Sequence, residues 1–331
     1  MSIKHKLAII GLGTHGRGIA RLALSSGFEI TSCVDPFHAG EPLSALLQLP
    51  SAPPVIVFAS VDEVVWDNVE VAIVAIKAAP EEVVEMIEHI LIRGVNVITI
   101  VEDLYDLQGF APELHHRLNA TALASRKTVI ATGVQDAAWA GLTLQATALV
   151  RDLRSVNLST HLGVDGYPVD FLQWCGIGTS MSEWEAARDT AARTPSVFGA
   201  VLPVIARKMG LTVISEEREF WPITSDTDVQ SQTYGRPISA GEPIGRQDMV
   251  TVETAEGITF TASLGTDAIL GDDHFELTLD AHPKIELKHI IEPGSPSVDA
   301  TVINRIVDVI DAPPGFLSTV DLPTPYYRHQ R

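Results

Sequence analysis

Cysteine is nearly absent from these 331 residues. Cys33 and Cys175 alone cannot build a disulfide framework or a zinc site of the usual cysteine-rich spacing, and Cys33, inside an apolar run, reads as a buried free thiol. Basic residues are also scarce: 23 Lys and Arg stand against 42 Asp and Glu, a net charge of −19. A surface of that sign repels phosphate backbones and anionic lipid, so neither nucleic acid nor membrane is expected as a partner. It favours solubility and is compatible with a cationic substrate. No apolar run approaches the roughly 20 residues a membrane-spanning helix needs. No secretory leader is recognised before Leu7–Ile10, so a cytoplasmic location is expected. The phosphate-binding loop of nucleotide triphosphatases and the G-x-S-x-G elbow of hydrolases are missing too.

What is present is an ordinary globular composition, 46% hydrophobic and 20% charged, on a chain longer than one core usually supports. Apolar, β-branched runs at 6–10, 29–34, 55–58, 69–76, 95–100 and 128–131 are continuous, as in parallel strands covered on both faces. Between them, 17–24, 80–93 and 111–125 carry apolar residues at helical spacing. This alternation predicts an α/β fold, a doubly wound parallel sheet of Rossmann type over residues 1–135. Beyond it the pattern changes. Long alternating strands are expected at 153–162 and 249–264, a helical stretch at 182–209 broken near Thr194-Pro195, and a Gly- and Pro-rich surface connection at 236–247. Residues 136–296 therefore read as a second, α+β domain, with a last helix near 297–310 in a segment, 297–331, that packs back on the first.

Gly11-Leu12-Gly13-Thr14-His15-Gly16 is a G-x-G-x-x-G turn lying directly between a strand and a helix. Gly11 permits the turn, Gly13 lets backbone approach a pyrophosphate, and Gly16 lets helix pack on strand. The N–H groups at Thr14 and His15 and the positive helix end then face the phosphates. Asp35 ends the second strand about 20 residues on, where a carboxylate accepts from both ribose hydroxyls and repels a 2′-phosphate; the other reading is a strand-end turn residue. With no Arg or Lys after it, and His38 only a partial substitute, NAD is the expected cofactor and NADP the alternative. Ile76 to Pro80, Ala78 included, follow a parallel strand and are expected to line the nicotinamide ribose with backbone.

The likeness extends beyond the glycines. Val34-Asp35-Pro36-Phe37-His38-Ala39-Gly40, Gly94–Glu102, Ala131–Asp136, Gly176–Ser180, Asp299–Asn304 and Ala312–Phe316 resemble 2,4-diaminopentanoate dehydrogenase and the native amine dehydrogenases. These are relatives of dihydrodipicolinate reductase, whose paired histidines and Lys-x-Asp-Ala-Pro-Ser-Gly-Thr signature are missing here. The resemblance implies a second domain of dihydrodipicolinate reductase-like type, a homodimer, and NAD(P)-dependent interconversion of an amine with a carbonyl compound and ammonia. It implies Glu102 as the catalytic group and Trp139 and Tyr167 as walls of an amine pocket, although ordinary core packing explains both aromatics equally well. Gly133–Trp139 looks more like the amine dehydrogenases, which points to a simple alkyl or cyclic amine. Glu102 follows a parallel strand at its carboxyl end, where ligands of open α/β sheets sit, and a partly shielded carboxylate there suits proton transfer. Asn304 reads either as a partner for the nicotinamide carboxamide or as a structural amide. A diamino-acid dehydrogenase, an imine reductase and a non-catalytic NAD-binding sensor are the alternatives. His115-His116 reads as a solvated helix face, and Asp272-Asp273-His274 as a polar turn rather than a metal site.

Overall fold

The computed structural model describes residues 5–191, 197–292 and 296–328. They form two compact units, Met1–Gly141 with Pro296–Arg331, and Leu142–Ser295.

In the first unit, β1 (Lys6–Ile10), β2 (Glu29–Val34), β3 (Val57–Phe58), β4 (Val71–Val74), β5 (Asn96–Thr99) and β6 (Thr128–Ala131) form a parallel sheet. A seventh strand, Gly315–Leu317, pairs parallel to β6. The order is Gly315–Leu317, β6, β5, β4, β1, β2, β3, so the strand order reverses between β1 and β4. Every residue of β4, β5 and β6 is buried, which is why these segments read as unbroken apolar runs. Helix Pro80–Ile92 begins on proline, carries Glu81 and Glu82 in its first turn and buries Val83, Val84, Ile87, Ile90 and Leu91. At this N-terminal end the proline's missing N–H costs nothing and the acids suit the helix dipole.

The last helix, Pro296–Asp311, sends Val302, Ile303, Ile306 and Val309 into the core that holds Leu7, Ile9, Val71 and Ile98. Beside that apolar stripe lies Arg305, only 1% exposed. Its Nε and Nη2 donate to the two carboxylate oxygens of Asp136, at 2.7 Å each. Nη1 donates to Asp308 (3.2 Å) and to the Pro323 carbonyl (2.6 Å), and Nη2 also reaches the Thr319 carbonyl at 3.2 Å. Thr132 donates to Asp136 at 2.8 Å. Asp136 itself sits on a wide helical segment, Gln135–Leu142, of the kind that bulges one residue beyond the α-helical repeat.

In the second unit, β7 (Arg151–Gly163) is followed by helices including Met181–Ala191 and Val197–Lys208, and then by β8 (Val213–Thr224), β9 (Val229–Ser231), β10 (Arg236–Ile238), β11 (Pro243–Thr254), β12 (Thr259–Asp267), β13 (His274–His282) and β14 (Ile285–Ile290). Six strands make one sheet, ordered β14, β13, β7, β12, β11, β8. β7 and β12 run parallel and the other neighbours antiparallel. Registered residues Val156, Leu158, Val250, Val252, Phe260, Ala262, Leu277 and Leu279 share one buried face, against which helix Val197–Lys208 packs.

Three expectations need correction here. The run 249–264 is two antiparallel strands, because Gly257, at φ +78°, turns the chain; alternation on both sides hid the turn. The Gly- and Pro-rich stretch 236–247 is largely strand: Pro243 opens β11, and Gly245 lies so close to β12 that a Cβ would come within 2.1 Å of the Thr266 carbonyl oxygen. Of the pair read as a solvated helix face, His116 is exposed but His115 is half-buried, its ring packing 5.3 Å from that of Phe316 and burial lowering its pKa. The break expected at Thr194-Pro195 lies outside the described residues. No described helix is long and apolar enough to cross a membrane.

Replacing Arg305 by Met leaves the Asp136 carboxylate buried without its partner. We expect a loss of about 3–5 kcal/mol in unfolding free energy, read by urea denaturation; a loss below 1 kcal/mol contradicts the anchoring role.

Candidate active site

The site is built where the first unit's strand order reverses, at the carboxyl ends of β1 and β4, where open sheets of this type leave a crevice. Gly11 has φ +89°, and a Cβ there would lie 2.3 Å from the Ala75 carbonyl oxygen. A Cβ on Gly16 would lie 1.8 Å from the Gly11 oxygen. Gly13 differs: nothing lies within 4 Å of its Cβ position. The turn is thus closed where the chain packs on itself and open where a ligand would approach. Helix Thr14–Ser25 starts with no side-chain cap and no acidic residue in its first turn, so its N–H groups and positive dipole end remain available to an anion.

Asp35 is buried, and each of its oxygens takes one backbone N–H: Leu12 at 2.7 Å and Phe37 at 2.9 Å. Carboxylate oxygens accept more than one hydrogen bond each, so the group is fixed in place with capacity left for ribose hydroxyls. His38 is paired with Glu41 at 3.1 Å and Phe37 is 90% exposed, so no free cation follows Asp35 to receive a 2′-phosphate. Ile76 stands against the Gly11 turn, its Cγ2 within 2.9 Å of the Cβ position there; Ala78 continues the same segment after β4.

Glu102 opens the tight turn Glu102–Leu104 just beyond β5. The residue as a whole is exposed, although protein atoms crowd around its carboxyl. Desolvation raises its pKa, the neighbouring Asp103 carboxylate raises it further, and His15 opposes both. The influence of His15 links Glu102 to the glycine turn. His15 is oriented by Asp299, Nδ1 to Oδ1 at 3.0 Å, and Asp299 in turn fits over Gly18, where a Cβ would lie 1.9 Å from its Oδ2.

Trp139 is buried on Gln135–Leu142, the segment that the Arg305–Asp136 fork anchors. Asn304 accepts a hydrogen bond from the Arg328 N–H through Oδ1 at 3.3 Å. Tyr167 belongs to the second unit, where its ring lies 5.5 Å from that of Phe171. The first unit therefore brings together Gly11–Gly16, Asp35, Ile76 and Glu102. Asp299, Asp136 and Arg305 are the positioning groups that sequence reasoning missed. Their one local signal was the polar stripe Thr301, Arg305, Asp308 beside the apolar face of the last helix.

No family model matches the chain. Over 97% of its length it is 23% identical to the 2,4-diaminopentanoate dehydrogenase of Acetoanaerobium sticklandii, covering 94% of that protein. Its fold superposes on an amine dehydrogenase from Mycobacterium smegmatis with a TM-score of 0.90, at 25% identity and 99% coverage of both chains. A more distant likeness in fold, TM-score 0.55 at 15% identity over 87% of this chain and 73% of the other, is to GenD2 of gentamicin A biosynthesis, solved in complex with NAD. Across nearly its whole length, then, the chain is similar to a 2,4-diaminopentanoate dehydrogenase in sequence and to an amine dehydrogenase in fold.

Proposed function

We propose that the protein is an NAD-dependent oxidoreductase acting on CH–NH2 groups, interconverting a small amine with a ketone or aldehyde and ammonia. The observation that carries this reading is Glu102, a carboxyl with a raised pKa at the end of β5, electrostatically coupled through His15 to the glycine turn. A sensor that only binds a dinucleotide has no use for a proton-transfer group there.

The turn holds the pyrophosphate on the N–H groups of Thr14 and His15, beside Gly11, Gly13 and Gly16, and Asp35 accepts from the ribose. Ile76 and Ala78 line the nicotinamide ribose. Asn304 offers its NH2 group to the carboxamide, its oxygen being engaged by Arg328. When bound, the nicotinamide takes up the hydride released by the amine-bearing carbon. Glu102 removes a proton from the attacking water, passes it to the departing nitrogen, and then takes the hydroxyl proton and releases it to solvent, so that ammonia leaves as the carbonyl forms; reductive amination runs these transfers backwards. Its negative charge also attracts the cationic carbon–nitrogen species that precedes water attack. Trp139, on the segment anchored by Arg305, offers an aromatic wall for the alkyl group and a face for the positive charge. The whole-length relative makes a diamino acid the second substrate reading, separated from the first by whether a simple alkyl amine turns over. A homodimer is proposed as well, on the exposed Leu287 and Ile290 of edge strand β14 and Trp221 of edge strand β8; sedimentation velocity at twice the monomer mass supports it.

NADH oxidation with short or cyclic ketones is expected to require ammonia; equal rates without it contradict the proposed reaction. Glu102→Gln should lower kcat by about 10²–10⁴-fold while NADH titration by fluorescence stays unchanged.

Amine oxidation needs the Glu102 carboxylate. Because folding raises its pKa, the acidic limb of kcat/KM should fall at a pH above the ordinary glutamate range and vanish as a feature in Glu102→Gln. Asp35→Asn should weaken NADH by about ten- to a hundredfold and narrow the preference over NADPH, measured as the ratio of the two dissociation constants.

A further inference from the structure

Far from the chemistry in sequence, the second unit gathers two imidazoles and a carboxylate. His161 on β7 and His274 on β13 are registered partners across an antiparallel pair. Directly opposed side chains on one face of such a pair approach within reach of each other, and the two rings stack at 5.9 Å between centroids, 23° apart. The loop entering β13 brings Asp272 over them. Ligand atoms from His161, Asp272 and His274 all lie within 4.8 Å of one another.

Both rings turn Nδ1 toward the same point, the Asp272 carbonyl oxygen, at 3.2 Å from His161 and 2.7 Å from His274. The Asp272 carboxylate lies 3.4 Å from His274 Nδ1. Two ring nitrogens, a carbonyl and a carboxylate thus converge from two stretches of chain, β7 and the entry to β13.

The support behind this group is equally specific. His161 Nε2 lies 3.0 Å from Oδ2 of Asp267, whose other oxygen is held by the Ile269 N–H at 2.7 Å. A carboxylate on the far nitrogen is the arrangement found behind metal-bound imidazoles; in the present geometry each Nδ1 faces the Asp272 carbonyl, which only accepts, so each donates its N–H there and a metal would take the place of those protons. Glu276 stands 3.9 Å from His274 Nε2 and is itself paired with Lys288 at 2.8 Å. The loop is tied down by Asp273, which accepts from the Gly163 N–H at 2.7 Å, and Gly163 passes so close beneath it that a Cβ would lie 2.3 Å from the Ile269 carbonyl oxygen.

We propose that His161, His274 and Asp272 form a binding site for a divalent ion of the zinc, nickel or cobalt type, which ties β7 and β13 to the 268–273 loop. Imidazole nitrogens with a carboxylate suit these borderline ions, whereas magnesium and calcium demand a shell of oxygens. Metal–ligand bonds of about 2.0–2.2 Å require these half-buried or exposed side chains to turn inward and the two imidazoles to give up their contacts with the Asp272 carbonyl. The site stands independently of the proposed amine chemistry.

The test uses the full chain without a polyhistidine tag, dialysed against chelator and titrated calorimetrically with Zn²⁺, Ni²⁺ and Mg²⁺. One Zn²⁺ or Ni²⁺ per chain is expected, with no Mg²⁺ uptake. His161→Gln and His274→Gln should each weaken binding at least about tenfold and Asp267→Asn about ten- to a hundredfold, while His38→Gln binds as wild type. Zinc should also raise the Tm of the wild-type chain but not of the two His variants. Unchanged stoichiometry and affinity in both His variants, or no uptake by the folded wild-type chain, overturns the proposal. Should the variants fail to fold, X-ray absorption of the zinc-loaded wild type decides: two imidazole nitrogens on the metal are required, and their absence overturns it.

Discussion

A guanidinium removed from water costs several kcal/mol unless nearly every N–H finds an oxygen and a carboxylate lies alongside. Arg305 meets that condition through the two-pronged bond to Asp136, the contact with Asp308 and two backbone carbonyls. These partners come from a helix, from the segment after β6 and from the C-terminal tail, parts of the chain with little else in common. The geometry of a planar fork on a carboxylate admits only one mutual orientation. Asp136, and with it the helical segment bearing Trp139, is therefore set by a residue 169 positions later. The same helix supplies Asp299 to orient His15, so a single element locates the aromatic and the imidazole on which the candidate site depends.

The first unit was largely legible because its physics is local. Continuous β-branched runs mean strands buried on two faces, and a G-x-G-x-x-G turn at the first strand's end means a close-packed βαβ crossing. Each glycine meets the contact its position demands, Gly11 and Gly16 on backbone and Gly13 on open space. What escaped was long-range. Nothing local to Asp136 reveals that Arg305 will neutralise it, and nothing in the Pro-rich stretch after Ile310 signals that Gly315–Leu317 will extend the sheet. Asp35 was legible as a ribose acceptor by its spacing, but its hold on the Leu12 N–H of the turn belongs to the folded arrangement alone.

The second unit shows the opposite balance. Its alternating strands announce a sheet with two unlike faces, yet they do not announce their partners. The parallel pairing of β7 with β12 amid antiparallel neighbours has no signature in composition, and the turn at Gly257 lies inside an unbroken alternation. His161 and His274 illustrate the point: 113 positions separate them in the chain, and only the register of β7 on β13 places them face to face. Asp272-Asp273-His274 taken alone reads as a polar turn, and His161 joins it only through strand pairing.

The strand Gly315–Leu317 and the helix before it carry a consequence for how the molecule is made. The nucleotide-binding sheet lacks its outer strand, and Asp136 its counter-charge, until the final segment has left the ribosome, whereas the second unit has all its strands by Ile290. Synthesis in chain order thus delivers every strand of the second unit's sheet before the strand that covers β6 in the first. During that interval the exposed edge of β6 is the part of the nascent chain most vulnerable to wrong pairing.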